Sequence, residues 1–289
     1  MKILVIGGNG FIGSKVSQAL FKKGHNVTIL DIKKDKKKDK QIKFILGDVR
    51  NLQTLSKAIS GKEVVFNFAA LSDIDIARHK PSETVILNIL AVSNILKISK
   101  IKKVKRFIQA STIYALSEEG GFYARSKRAA EDYILEFNKI YNINFTILRF
   151  GSLYGEGADS NNGIKKLILL GKQYKKLVYR GSINASRRYI NIRDAAQLCV
   201  QILSSKYKNS IVNITGKKII RIKDILNFLS IKLCIKRKKI IFKNEKNTGH
   251  YDKLPTPMKP NKSKNLYIKK EKDIFKSIEG LLKNEWKFN

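Results

Sequence analysis

KILVIGGNGFIGSKVSQALFKKGHNVTILD, residues 2–31, is a βαβ unit written out in sequence. KILVIG is a short β-branched run ending in glycine, the pattern of a strand buried on both faces of a parallel sheet. GGNGFIG follows, and SKVSQALFKKG can place Val16, Leu20 and Phe21 on one helical face before Gly24 stops the helix. NVTILD is a second apolar strand with Asp31 at its carboxyl end. Gly8, Gly10 and Gly13 satisfy GxGxxG, and Gly7, Gly10 and Gly13 satisfy GxxGxxG. Glycine is required there because the turn is tight, a diphosphate must approach the backbone, and the helix packs close to the strand. The backbone of Gly7, Gly10, Phe11, Ile12 and Gly13 is thus the expected phosphate cradle, at a helix N-terminus whose free N–H groups favour an anion. Asp31, 18 positions beyond Gly13, is suited to the adenosine ribose hydroxyls and repels a 2′-phosphate, which makes NAD the expected cofactor over NADP. Lys33 and Lys34 beside it oppose that discrimination.

Outward from this unit the alternation continues. Strand-like QIKFILGD, helical LQTLSKAIS, strand-like KEVVFNFAA, a helical stretch from Pro81 to Lys100, the strand KRFIQAST, a helix from Tyr123 to Tyr141 and the strand NFTILRF follow in order. This predicts an α/β fold, a Rossmann-type doubly wound parallel sheet whose strand ends share one edge, where a ligand sits. Beyond residue 150 the pattern loosens: a polar loop at 159–163, a helix at 164–172, RRYINIRDAAQLCVQIL as strand and helix, and a helix at 222–233. A basic strand-like stretch at 236–243, a Pro-containing loop at 254–260 and a helix at 271–287 complete the chain. The expected organisation is a dinucleotide-binding domain of residues 1–150, to which 187–213 return, and a smaller C-terminal substrate-binding lobe of 151–186 and 214–289.

The chain has 289 residues and a formal charge of +36, from 47 Lys and 12 Arg against 23 acidic residues. Such a charge invites nucleic acid, but Lys dominates over the bidentate Arg that base and phosphate recognition favours. The lysines are also spread along the chain, so only non-specific, salt-sensitive attraction follows. Cys199 and Cys234 are too few for a disulfide framework, and His25, His79 and His250 are scattered, so no metal site is expected. Apolar stretches are read as broken before the ~18 residues of a membrane span, and the opening MKILVIGG lacks a cleavage signal. A cytoplasmic protein without a membrane partner is expected. The run at 33–43 reads as a solvated loop whose lysines can reach a nucleotide phosphate, and Trp286 as a core anchor.

Tyr123-Ala-Arg-Ser-Lys127 places a phenol and an ammonium one helical turn apart on one face, just after the strand that ends in Ser111 and Thr112. A nearby cation favours the phenolate, so Tyr123 is expected to have a lowered pKa and to act as a general base.

With these residues the chain resembles an extended short-chain dehydrogenase/reductase of the NAD-dependent epimerase/dehydratase family, whose members act on nucleotide-linked sugars. Nine motifs stand in the family's order: GGNGFIG, Asp31, GDVR at 47–50, NFAA at 67–70, Asn88, AST at 110–112, YARSK, LRFGSLYG at 148–155 and SRRYINIRDAA at 186–196. The resemblance implies that Asp48 and Val49 flank the adenine, Ala69 and Ala70 line the path to the nicotinamide, and Lys127 bonds its ribose. Asn88 is implied at both cofactor and substrate, and Ser152 and Arg187 at the substrate, with Arg187 near its diphosphate. Thr112 matches the catalytic hydroxyl, with Ser111 as runner-up. The Asp-Glu pair of sugar 4,6-dehydratases, and the Glu of the family's decarboxylases, are replaced by Ile113 and Tyr114. Thr112 stands where the combined epimerase-reductases carry Cys. What remains supports reversible oxidation of a sugar hydroxyl, with 4-epimerisation as the first reading and a 4-keto reductase or dehydrogenase as the alternative. A non-catalytic dinucleotide-binding regulator is a more distant reading. The family's habit implies a homodimer through the two long helices. His250-Tyr251 and Pro255-Thr256-Pro257 are candidates to shape the sugar pocket.

Overall fold

Eight parallel strands form the central sheet of the protein, seen in a computed structural model that describes residues 1–34, 41–243 and 263–283. The first half of the chain runs β1 (Lys2–Ile6), α1 (Phe11–Lys22), β2 (Asn26–Asp31), β3 (Lys43–Leu46), α2 (Leu52–Ile59), β4 (Val64–Asn67), α3 (Ile74–His79) and α4 (Pro81–Val85). A π-helical turn (Ile86–Leu90), α5 (Ala91–Ile101), β5 (Arg106–Thr112), a 3₁₀ turn (Ile113–Leu116), α6 (Gly121–Tyr141) and β6 (Phe145–Phe150) follow. The second half runs β7 (Ser152–Tyr154), α7 (Gly163–Tyr174), β8 (Leu177–Arg180), β9 (Ser186–Arg187), β10 (Tyr189–Asn191), α8 (Ile192–Gln201), β11 (Ser210–Ile214) and β12 (Ile220–Arg221). It ends in α9 (Ile222–Lys232), β13 (Ile240–Lys243), β14 (Lys264–Leu266) and α10 (Ile274–Lys283).

The sheet order is β14-β11-β6-β5-β4-β1-β2-β3, so the winding reverses between β1 and β4. Crossover connections leave a crevice at such a reversal, beyond the carboxyl ends of the strands. The two-residue alternation of each strand feeds two cores. Ile3, Val5 and Phe66 pack with Val16 and Leu20 of α1 and with Leu198 and Cys199 of α8. Leu4, Ile6, Val65 and Phe107 pack on the other face with Val92 and Ile95 of α5 and Ile134 of α6. A third core, with Ile164, Leu167, Leu226, Leu229 and Ile278, belongs to the smaller lobe. That lobe is held by two- and three-residue ladders, β7 with β10 and β9 with β12, and by the four-residue pair β8 with β13.

One expectation changes. β14 pairs in parallel with β11, so residues 264–266 extend the large sheet although 214–289 were assigned to the lobe. Three residues within a Lys-rich stretch carry too short an apolar pattern to be read as a strand. The continuous helix Pro81–Ile101, 21 residues, is long and apolar enough to cross a membrane by length and composition, although polar residues interrupt it as the sequence reading has it. Its charged residues are Glu83 near one end and Lys97 and Lys100 near the other, and Asn88, Ser93 and Asn94 interrupt the apolar run between them. Val92, Ile95 and Leu96 face the core, while Val85, Leu90 and Ile101 are exposed. The 236–243 stretch opens as a 3₁₀ turn (Arg237–Lys239) before β13. His250, Tyr251, Pro255, Thr256, Pro257, Trp286 and most of the 33–43 run lie outside the described residues.

Candidate active site

The glycine turn is fixed by close contacts that leave no room for side chains. Gly7 has φ +72°, and a Cβ there would stand 2.6 Å from the Ala69 nitrogen; one on Gly13 would stand 2.2 Å from the Gly7 carbonyl oxygen. Gly10 caps α1 without a side-chain acceptor, so the first-turn residues Phe11, Ile12 and Gly13 bring their amides to the cavity wall they line. Two cavities flank this turn and share Gly7, Gly10, Phe68 and Ala70 in their walls.

The first cavity, about 400 Å³, is lined by Asp31, Asp48, Val49, Ala69 and Ala70, with Ile32, Lys33, Arg50, Glu83 and Leu87. Asp31 accepts the Asn9 backbone N–H at 2.8 Å and that of Lys33 at 3.1 Å, so its carboxylate is oriented by the turn it faces. Asn9 reaches the Lys33 carbonyl with its side chain. Asp48 receives the guanidinium of Arg50 (Nε at 3.0 Å to each oxygen, Nη2 at 2.6 Å), which holds its carboxyl below the usual carboxylate range. Arg50 was not singled out in the sequence; its place within GDVR was the available signal.

The second cavity, about 490 Å³, holds Thr112, Tyr123 and Lys127 together with Gly10, Phe11, Ile12 and Gly13. The Thr112 hydroxyl shares the cavity with the Tyr123 phenol, whose pKa it lowers, and accepts the Tyr114 backbone N–H at 3.2 Å, which starts the 3₁₀ turn. Lys127 is buried, its Nζ donating to the Ala110 carbonyl at 3.2 Å and standing 6.0 Å from the Tyr123 ring centre. Burial pushes the Tyr123 phenol up to about 12, against the Thr112 hydrogen bond that lowers it. Burial also draws the Lys127 ammonium down to about 8, opposed by the charge of Glu131. The expected lowering of the Tyr123 pKa is therefore not found in the protein alone: desolvation outweighs a cation 6.0 Å from the ring.

Ser111 lines the second cavity beside Thr112 and donates its hydroxyl to Glu131 at 2.5 Å. Other expected residues are placed differently. Asn88 is buried in the π turn; its Oδ1 accepts the Leu71 N–H, and its Nδ2 donates to the Leu71 carbonyl and to the Ser126 hydroxyl, each at 2.9 Å. Those bonds tie the Ala70 loop to α6 and spend the side chain that was expected at cofactor and substrate. Arg187, also buried, donates to the Ser186 carbonyl at 2.9 Å and the Tyr179 hydroxyl at 3.3 Å. Neither Arg187 nor Ser152 is among the residues lining the two cavities; both lie in the lobe's ladders. Sequence reasoning passed over Asp73 and Asp159 in the second cavity, each of which accepts nearby backbone N–H groups. Among the described residues no group of three His, Cys, Asp or Glu is placed to hold a metal.

The sequence profile of the NAD dependent epimerase/dehydratase family matches residues 3–215. The chain belongs to that family. A protein of Methanocaldococcus jannaschii provisionally named UDP-glucose 4-epimerase is 29% identical over 240 residues, covering 75% of this chain and 77% of that protein. The fold is shared with solved family members. A UDP-glucose 4-epimerase of Thermotoga maritima solved with UDP-glucose superposes with a TM-score of 0.79 at 22% identity, covering 92% of this chain and 90% of that one. A variant dTDP-glucose 4,6-dehydratase of Streptomyces venezuelae, solved with NAD, superposes with a TM-score of 0.83 at 18% identity and 98% of both chains. This is an extended short-chain dehydrogenase/reductase enzyme, and the glycine cradle between two cavities, with Asp31 at one end and Tyr123 at the other, fits the family's NAD.

Proposed function

We propose that the protein is an NAD-dependent nucleotide-sugar 4-epimerase. The observation that carries this reading is the meeting of Thr112, Tyr123 and Lys127 in one cavity with the glycine cradle, while the two positions after Thr112 hold no carboxylate. Ile113 is buried and the Tyr114 side chain lies against Gly120, so the acid-base pair of a sugar 4,6-dehydratase is missing from that turn. The names of the similar proteins, UDP-glucose and UDP-glucuronate 4-epimerases among them, support the same substrate class.

NAD, when bound, supplies reversible hydride acceptance and, oxidised, a positive charge. The chain's residues handle the proton. Thr112 orients the sugar hydroxyl, Tyr123 accepts its proton as the carbon is oxidised, and Lys127 favours the phenolate by charge. Oxidised NAD held by Gly7, Gly10, Phe11, Ile12 and Gly13 would add a positive charge that favours the phenolate in the same direction as Lys127 and opposes the desolvation of Tyr123. Tyr123 then returns the proton to the sugar oxygen as the carbon takes back its hydride; if the sugar has presented its other face, the configuration is inverted.

The division of labour that follows gives the cofactor to residues 1–150 with 187–213 apart from Arg187, whose strand β9 pairs with β12 of the lobe, and the sugar to Arg187, 151–186 and 214–289 apart from the strand 264–266. Exposed Val85, Leu90 and Ile101 on the 81–101 helix, with Tyr133 and Ile140 on α6, support a homodimer through these helices; a light-scattering mass of one chain at all concentrations would contradict it. The two unpaired cysteines support a reducing, cytoplasmic setting, and the substrate class a place in polysaccharide or nucleotide-sugar metabolism. Incubation with UDP-glucose or UDP-N-acetylglucosamine, followed by proton NMR, tests the activity. The 4-epimer should form with no nicotinamide nucleotide added, whereas oxidation of the sugar with added NAD or NADP reduced mole for mole would show a dehydrogenase, the reverse direction of a 4-keto reductase.

A further inference from the structure

Glu131 lies on α6 one turn beyond Lys127 and is 3% exposed. Its carboxylate accepts the Ser111 hydroxyl at 2.5 Å and the Arg149 Nε at 3.0 and 3.1 Å, and pairs with Arg149 Nη2. Ser111 and Arg149 face each other in the β5–β6 register, immediately before Thr112 and Phe150. One carboxylate on the helix of Tyr123 and Lys127 therefore grips the ends of both strands beside the cavity. Helical spacing sets Glu131 and Lys127 on one face, and both are buried, where charges interact more strongly than in water. A buried ion pair is weak evidence for stability, since an apolar pair often serves as well, so its place beside Lys127 calls for another reason.

We propose that Glu131 is a positioning residue of the reaction: its charge keeps Lys127 protonated beside Tyr123, and its bonds to Ser111 and Arg149 set the height of α6 over Thr112. This rests on the reading of Tyr123 and Lys127 as the reacting pair. Around Lys127 the charged and titratable groups among the described residues are Glu131 and Tyr123 on its own helix, Arg149 from β6 behind Glu131, and Asp73 and Asp159 on other walls of the cavity. Burial already draws the Lys127 ammonium down to about 8 and Glu131 opposes this, so removing the carboxylate releases the proton at lower pH.

Glu131→Gln alone strands a buried Arg149 cation, which destabilises strongly. The test therefore uses two paired replacements, Glu131→Gln with Arg149→Gln and Glu131→Leu with Arg149→Met, beside Glu131→Asp. Thermal unfolding and NAD affinity confirm which proteins are intact. Turnover is measured on whichever of UDP-glucose, UDP-N-acetylglucosamine and dTDP-glucose the native enzyme converts fastest. The expected result for a folded paired variant is kcat at least tenfold lower with KM and NAD affinity within threefold. The pH midpoint for acetylation of Lys127 by acetic anhydride, read by peptide mass spectrometry, should also move down. Native kcat and an unmoved midpoint in a folded paired variant would overturn the proposal. Should neither pair fold, Glu131→Asp decides by the acetylation midpoint: it keeps the charge, so an unmoved Lys127 midpoint supports the role and a midpoint lowered in the folded protein refutes it. Tyr123→Phe is the control; full turnover there sinks the underlying reading, whereas loss there with native kcat in a paired variant sinks only the role of Glu131.

Discussion

The glycine turn and the smaller lobe differ in what specifies them. At the turn, backbone meets backbone: Gly7 lies against the Ala69 amide and Gly13 against the Gly7 carbonyl, distances that one residue type alone permits. In the lobe, ladders of two to four residues hold up side chains such as Arg187, whose hydrogen bonds to Ser186 and Tyr179 many sequences could supply. On the proposed division, the cofactor half of the site is written in residue identity and the substrate half in the packing of short segments.

That contrast can be broken in several places. The largest effect should come where the two halves meet: Tyr123→Phe is expected to lower kcat by roughly 10²–10⁴-fold, the usual worth of a general acid-base group, with NAD affinity unchanged. Gly13→Ala should weaken NAD binding by roughly ten- to a hundredfold, because forcing a methyl into a filled site costs about 1–3 kcal/mol; isothermal titration measures it. Arg187→Met should act on the other half alone, raising KM for the nucleotide sugar about tenfold, the worth of one charge-assisted hydrogen bond, with NAD affinity untouched. If it weakened NAD instead, the division between the halves would fail.

The pH profile sharpens the comparison at Lys127. Its ammonium, drawn down to about 8 by burial, is charged below that value and neutral above it. Turnover is therefore expected to fall as pH rises through about 8, where an ordinary lysine would remain charged to about 10. The smallest effect should come from Asn51→Ala, which removes the acceptor for the Thr54 N–H at the start of α2. A cap of this kind is worth about 1 kcal/mol, or roughly 2–4 °C in Tm for a chain of this size, with kinetics unaffected.

The same contrast explains what the sequence disclosed. GGNGFIG between an apolar strand and an amphipathic helix, Asp31 at the end of β2 and the YxxxK spacing are local patterns with one physical meaning each, so the sheet and the nearness of Thr112, Tyr123 and Lys127 were legible. Features made by distant residues were not. Ser111, Glu131 and Arg149 are separated by 20 and 18 positions, and nothing local marks them as partners. Asn88 carried a family role, but only the π turn shows its side chain spent on Leu71 and Ser126. The Tyr123 phenol illustrates the limit of charge counting: the cation was visible in sequence, while the burial that outweighs it was not.

An epimerase of the proposed kind regenerates its cofactor within each turnover, so the cofactor need not leave. The most direct test is to denature the purified protein and identify the nucleotide it releases. NAD at close to one per chain is the expected result; a protein that releases none and binds NADPH more tightly than NADH would contradict both the role of Asp31 and the epimerase.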